Sequence, residues 1–204
     1  VHAGALRVTS RGVFRLGYMF ADLGHRVMRD GNLAGLLQPI LDQLARATGE
    51  ACMATEFDRD MAVCIAKALP DRPLYVDIRI GSKLDAFCTA HGKLWLAHMS
   101  KTDQDRYFAK ADLTRMTDHT LTDLTALKSE LAQIRKAGFA TNNGEREHDI
   151  YAIAVPITTL HGTMVSAFSV FGASPALLDQ KRDTLLNALT QATENAQRAL
   201  HGKD

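Results

Sequence analysis

The strongest constraint on this chain is a pair of short connections. Ala51–Phe57 and Met61–Leu69 are apolar, strand-like runs joined only by Asp58-Arg59-Asp60, and Ile150–Ile157 and Thr163–Phe171 are joined by Thr158-Thr159-Leu160-His161-Gly162. Links this short permit antiparallel pairing, whereas a parallel crossover needs a dozen or more residues. Two further extended segments are expected, Leu74–Ile80 and Phe139–Asn143. Elsewhere the hydrophobic period becomes helical. Leu33, Leu36, Leu37, Ile40, Leu41 and Leu44 share one face, with Pro39 restricting the early turns and Gly49 as the stop. Ser100-Lys101-Thr102-Asp103 caps a short helix through Tyr107 and Phe108. Leu124, Leu127, Leu131 and Ile134 define a longer helix with Asp123 in its first turn, Arg135 and Lys136 in its last, and Gly138 as its terminator. Leu178, Leu185, Leu189, Ala192, Ala196 and Ala199 supply a terminal helix. The order predicts an α+β fold, an antiparallel sheet of about six strands flanked by helices.

The chemistry concentrates in Gly81–Ala97, a polar, glycine-opened loop that runs into an apolar helical stretch. Thr89 precedes the small or polar Ala90, His91 and Gly92. A helix starting there presents uncovered backbone N–H groups that attract anions; alternatively Thr89 merely caps a packed helix. His91 at that start offers a hydrogen bond when neutral or an ion pair when charged.

Other readings are weaker. GxSxG, HExxH, GxGxxG and GxxxxGK[ST] are all missing from the sequence, and Ser166 and Ser169 lie inside a strand pattern. Cys88 near His91 reads as a small buried apolar residue before it reads as a thiolate. Glu145, Glu147, His148 and Asp149 form a charged loop whose spacing matches no metal motif, so it reads as solvated rather than as a metal site. A net charge of +1 does not suit an autonomous nucleic-acid binder. The three cysteines form no CxxC pair, which points to a reducing compartment without a disulfide framework. No apolar run approaches the ~20 residues of a membrane span, and the first residues lack a signal-peptide pattern, so a cytoplasmic location and no membrane partner are expected. The sequence starts without Met and in mid-pattern, and a further segment is expected before it.

Together these residues resemble a known family, the IclR-type (isocitrate lyase regulator) transcription factors, in its C-terminal effector-binding domain. Phe14-Arg15-Leu16-Gly17 is similar to the junction between the family's winged helix-turn-helix and its linker helix, and Gly81–Ala97 to its strand, loop, Gly-Lys and apolar helix pattern. Leu127-Lys128-Ser129-Glu130-Leu131, Ile134-Arg135, Gly138-Phe139-Ala140, Gly144-Glu145, Ile153-Ala154-Val155-Pro156-Ile157 and Gly162–Gly172 follow in the family's order.

The resemblance implies residues 1–16 as a remnant of the wing, 17–30 as a linker helix and 31–202 as a GAF-like (profilin-like) effector-binding domain. It implies a small organic carboxylate as effector, promoter DNA bound through a winged helix-turn-helix outside this chain, and a homodimer or dimer of dimers. It implies neither catalysis nor a cofactor. Carried over, the backbone at Ala90 and His91, with Thr89 and Gly92 beside it, would hold the carboxylate. Asn142, Ala152, Ser169 and Phe171 would line the pocket, and Leu84 and Ile150 would wall it. Where members that bind short acids carry acidic, cysteine and second serine residues, this chain has Asn142, Ala152 and Phe171. Together with Phe87, that points to a larger, aromatic acid rather than a glyoxylate-like one. The alternative is a stand-alone small-molecule-binding protein or enzyme on a GAF-like fold; a third is an interaction domain with a vestigial pocket.

Overall fold

The structure is a computed structural model and describes residues 6–8, 14–17, 19 and 33–201. It divides into two compact units, 1–35 and 36–204. In the first, β1 (Leu6–Val8) pairs antiparallel with β2 (Phe14–Leu16), placing Leu6 opposite Leu16. The expected linker helix, 17–30, lies outside the described residues apart from Gly17 and Met19.

After α1 (Leu33–Thr48), the second unit is built on six strands: β3 (Ala51–Asp58), β4 (Met61–Ala68), β5 (Lys83–Asp85), β6 (Ala140–Asn143), β7 (Tyr151–Thr158) and β8 (Met164–Gly172). Their order is β5-β4-β3-β8-β7-β6, antiparallel throughout. The two hairpins therefore join along β3 and β8, where Ala51 faces Phe171 and Met53 faces Ser169. In the first hairpin Asp58 pairs with Met61, so Arg59 and Asp60 alone make the turn, at φ 47° and 70°. This is the left-handed geometry a two-residue hairpin demands, adopted here without glycine. Pro156 sits in β7 opposite Ala167, and it is tolerated because β6 stops pairing at Ala154, so no neighbour on that edge needs its missing N–H.

β8 is buried along its whole length because helices cover both faces of the sheet. On one side α2 (Ala90–His98) packs on β7 and β8 and against α4 (Leu124–Ala137), with α3 (Lys101–Phe108) between them in sequence. Met53, Phe87, Leu94, Leu96, Tyr107, Leu127, Leu131 and Phe171 belong to that core. On the other side α5 (Arg182–Leu200) packs on β7 and β8, where Ile153, Phe168 and Val170 alternate with the residues facing α2.

The helices follow the expected caps, with small differences. Asp123 is the N-cap of α4, its side chain accepting from Ala126 N, and Gly138 ends the helix at φ 78°. Leu124 is exposed rather than on the buried face. Before α5 a single 3-10 turn, Pro175–Leu177, buries Leu177, while Leu178, expected on the helix face, precedes the helix and is half-buried.

The larger departure is Leu74–Ile80, which is not a strand. Ser82 N donates to Arg79 O at 3.0 Å, and with Gly81 at φ 85° this closes a tight turn. Gly81 N donates to Cys64 O and Cys64 N to Ser82 O, so the chain meets the edge of β4 only from the turn onward. Upstream, Pro70 and Pro73 lack the N–H a ladder needs. The segment instead forms a strap with Val76 and Ile78 half-buried and Leu74, Tyr75 and Ile80 exposed.

Candidate functional site

The strap, the start of α2 and the ends of several strands enclose a cavity of about 540 Å³, within the range typical of small-molecule sites. Its apolar wall comes from Met53, Leu84, Ile150, Ala152 and Phe171, with Val76 and Ile78 from the strap. Thr89, Ala90, His91 and Asn142 supply the polar interior, and Asp77, Arg79, Lys83, Arg146 and Glu147 the charged part of the lining.

Why α2 begins here follows from three residues. Thr89 is extended at φ −129°, and its Oγ1 accepts from Gly92 N at 3.1 Å while donating to Asp85 O at 2.7 Å. A Cβ on Gly92 would lie 2.2 Å from Ala86 Cα, so only glycine lets the helix rest on that loop backbone. The helix is buried almost all round, from Ala90 through Leu94 and at Leu96 and Ala97. Lys93 N donates to Thr89 O and Gly92 N to the Thr89 side chain. The first-turn N–H groups of Ala90 and His91 have no acceptor within the helix, and both residues border the cavity.

The His91 imidazole is not available to a ligand. It is 1% exposed, with Nδ1 2.7 Å from Thr55 Oγ1 and Nε2 2.7 Å from Ser169 Oγ. Trp95 Nε1 donates to Thr55 Oγ1 across a longer 3.4 Å. Both ring nitrogens are thus engaged by buried hydroxyl groups. Burial lowers the His91 pKa to about 3, so the ring is neutral and neither of the two ligand roles open to it from sequence applies. The imidazole instead ties α2 to β3 and β8.

Beneath α2, Lys93 is 1% exposed and its Nζ donates to Glu130 Oε1 and Glu145 Oε1, each at 2.6 Å. Burial raises the Glu145 pKa and Lys93 opposes the rise. Glu145 Oε2 is buried without a partner. Asn142 shapes the same loop: Nδ2 donates to Ile150 O at 3.2 Å and Oδ1 accepts from Glu145 N at 2.9 Å. Thr117 Oγ1 donates to Gly144 O and Thr120 Oγ1 to Glu145 O. Glu147 accepts from Arg146, whose Nε also donates to Asp85 Oδ2 at 2.8 Å. The acidic loop is thus engaged by cations, and no cluster of three or more His, Cys, Asp or Glu is placed to hold a metal among the described residues. Burial pushes the Cys88 thiol up to about 12, which removes the thiolate that a Cys88–His91 nucleophile would need.

Leu84, Thr89, Ala90, His91, Asn142, Ile150, Ala152 and Phe171 line the cavity, whereas Phe87, Gly92 and Ser169 do not. Phe87 is packed in the core, Gly92 faces Ala86, and Ser169 is fully buried behind His91. Sequence reasoning missed Met53, the strap residues Val76–Arg79, Ser82, Lys83, Arg146 and Glu147. The available signal is the Val76/Ile78 alternation flanked by Pro73 and Gly81, a pattern that a strand and a cavity-covering strap share.

No described helix is long and apolar enough to cross a membrane. The family model described as "Bacterial transcriptional regulator IclR C-terminal" matches residues 25–198. The Pca regulon regulatory protein of Pseudomonas putida is 31% identical over 179 residues, covering 81% of this chain and 62% of that protein. The match spans about three fifths to two thirds of the length of the Pseudomonas putida protein and two other curated relatives. Among solved structures, the IclR of Thermotoga maritima superposes with a TM-score of 0.78 at 28% identity, covering 98% of this chain and 81% of that one. The inducer-binding domain of the PobR transcription factor from Acinetobacter, a double mutant in complex with 3-hydroxybenzoic acid, shares the fold, with a TM-score of 0.72 at 24% identity and coverage of 80% and 97%. With the family model spanning most of its length and the fold shared with the Thermotoga maritima structure, the chain belongs to the IclR family of bacterial transcriptional regulators, and residues 25–198 match its C-terminal domain.

Proposed function

We propose that this domain senses a small organic acid and that the cavity is where it binds. The observation that carries the reading is the pairing of an apolar cavity with the open start of α2, at Ala90 and His91. Two uncommitted N–H groups at the positive end of a buried helix suit a carboxylate. Leu84, Ile150, Ala152 and Phe171 would cover the body of the acid. The volume of about 540 Å³ exceeds what an acid of two or three carbons fills, which favours an aromatic or longer acid. The hydroxybenzoate held by the Acinetobacter domain of the same fold is an acid of that kind. With Phe87 in the core, stacking falls to Phe171 alone.

The reading is of binding without turnover: burial holds the Cys88 thiol protonated and outside the cavity lining, both His91 nitrogens are occupied, and the lining offers no nucleophile–base pair among the described residues. Occupancy biases two arrangements of the whole cytoplasmic regulator, a homodimer or dimer of dimers, and so alters promoter binding by a winged helix-turn-helix outside this chain. Calorimetric titration with benzoate-type acids, glyoxylate and pyruvate tests the site. Benzoate-type acids are expected to bind more tightly; tight binding of glyoxylate or pyruvate alone overturns the aromatic preference. A full-length regulator that bound its operator identically with and without a tightly binding acid would overturn the mechanism.

A further inference from the structure

The charged residues lining the cavity are Asp77, Arg79, Lys83, Arg146 and Glu147. Both carboxylates are already matched. Asp77 is paired with Lys67, and Glu147 with Arg146, whose Nε is also held by Asp85. Arg79 and Lys83 have no ion-pair or side-chain hydrogen-bond partner among the described residues, and both are exposed, so they lie where the cavity opens to solvent. The opening therefore carries two unpaired cations, and with Arg146 shared between Glu147 and Asp85 its charged groups retain a net positive charge of one.

Unpaired surface cations are ordinarily just solvated. These two differ in being placed together against a cavity by fixed backbone. They flank the turn closed by Ser82 N and Arg79 O, in which Gly81 takes the positive φ that favours glycine. Gly81 and Ser82 are bonded to both backbone groups of Cys64, and the strand residues Lys83–Asp85 pair with Met61–Val63. The backbone from Gly81 through Lys83 is thus fastened to the sheet edge, and the turn joins Arg79 to it at the end of the strap. The buried wall, by contrast, presents the neutral backbone N–H groups of Ala90 and His91.

We infer that the cavity has a second anionic subsite at Arg79 and Lys83, and that the effector is an acid with two anionic groups, one at the start of α2 and one at the opening. This inference rests on the proposed acid site and adds the class of acid. The second group is a carboxylate or a phosphate monoester. A short monoacid held at α2 leaves these cations facing water, whereas a six-carbon or para-substituted aromatic diacid carries its second charge away from α2 and toward the opening.

The test is calorimetry on the chain with matched pairs: hexanoate against adipate, 4-methylbenzoate against terephthalate, and terephthalate against 4-phosphonooxybenzoate. The diacid of each mono/di pair is expected to bind roughly tenfold more tightly at low salt, as two partly exposed charge-assisted contacts allow. That margin shrinks with added salt. In the double variant Arg79→Gln/Lys83→Gln the diacid-to-monoacid ratio falls to about one, and because both residues are exposed the ligand-free melting temperature stays as in the parent. Preference in the third pair identifies the second group as phosphate or carboxylate, and either result supports the subsite once diacids outbind monoacids. Equal binding of monoacids and diacids, or a preference that survives in the double variant, overturns the subsite alone. If no acid of either kind binds, the proposed acid site fails and the subsite falls with it.

Discussion

His91 shows how a residue type that invites a ligand role is diverted by its neighbours. Its two ring nitrogens are taken by Thr55 and Ser169, which stand 36 and 78 residues away in the chain. No local spacing announces such a bridge, so the sequence could place His91 at a helix start but could not say which way its ring was committed. Its neutral state has a consequence for stability. A folded pKa of about 3 lies below the ordinary 6.5, so between those values the unfolded chain binds a proton that the folded chain does not. Stability from this group is therefore full above about pH 6.5 and falls as the pH drops toward 3, by roughly 2 kcal/mol at pH 5. Glu145, with its raised pKa, works in the opposite direction, since its protonation favours the folded state. The two are separated with His91→Gln, followed by urea denaturation at several pH values. The variant is expected to be about 1–3 kcal/mol less stable at pH 7, from imperfect bonding to two buried hydroxyls. It should also lose less than the parent between pH 7 and pH 5. Identical pH slopes for parent and variant would show that His91 is not the group responsible.

α2 and the strap mark the two ends of what can be read from a linear sequence. The start of α2 was readable because its cap is local: Thr89 serves Gly92 three residues on, and Asp123 serves Ala126 in the same way at α4. The hairpins were readable because short links leave only one pairing. The meeting of β3 with β8 was not, since it joins residues more than a hundred positions apart, such as Thr55 and Ala167, and nothing local encodes that register. The strap departs from its sequence pattern for a related reason: Val76 and Ile78 alternate as strand residues do, but they bury against a cavity instead of a neighbouring strand. Arg79 and Lys83 come beside the cavity only through the turn at Gly81, which no local pattern of charges announces. Gly92 tests how closely α2 must lie on the Ala86 loop. Gly92→Ala drives a methyl into backbone that cannot swing aside, at an expected cost of about 1–3 kcal/mol or more, and it shifts the N–H groups of Ala90 and His91. Gly138→Ala is the comparison, because its Cβ meets open space and only the positive φ is strained, at roughly 1 kcal/mol. Denaturation and acid titration of both variants should show loss of binding only for Gly92→Ala. Equal binding by both would mean that the start of α2 does not hold the acid.

Across the whole domain, one sheet fixes almost everything while one segment stays loosely tied. The strands and helices around the cavity are joined by ladders, by the buried Lys93, which pairs with buried Glu145 and half-buried Glu130, and by the buried His91 bridge. The strap is held mainly at its ends. At its root Arg72 donates to the buried Glu50 at 2.6 Å, and Lys181, just before α5, donates to the other Glu50 oxygen at 2.8 Å. At its far end Gly81 and Ser82 join β4, and midway Asp77 pairs with Lys67. Residues 74–79 lie in neither helix nor strand, so their amides have no ladder to protect them. A ligand under the strap touches it at Val76, Ile78 and Arg79, which makes the strap the part of the fold that occupancy orders most. Hydrogen exchange should therefore be fast at residues 74–79 in the free protein and slow markedly when a tightly binding acid is present, with little change in β3 and β8. At a free acid concentration of about one hundred times Kd, mass action adds roughly 2.7 kcal/mol. In a domain of this size that raises the melting temperature by about 5–10 °C. Protection that spread evenly over the sheet, or melting that rose without any slowing in the strap, would place the acid elsewhere than beneath residues 74–79.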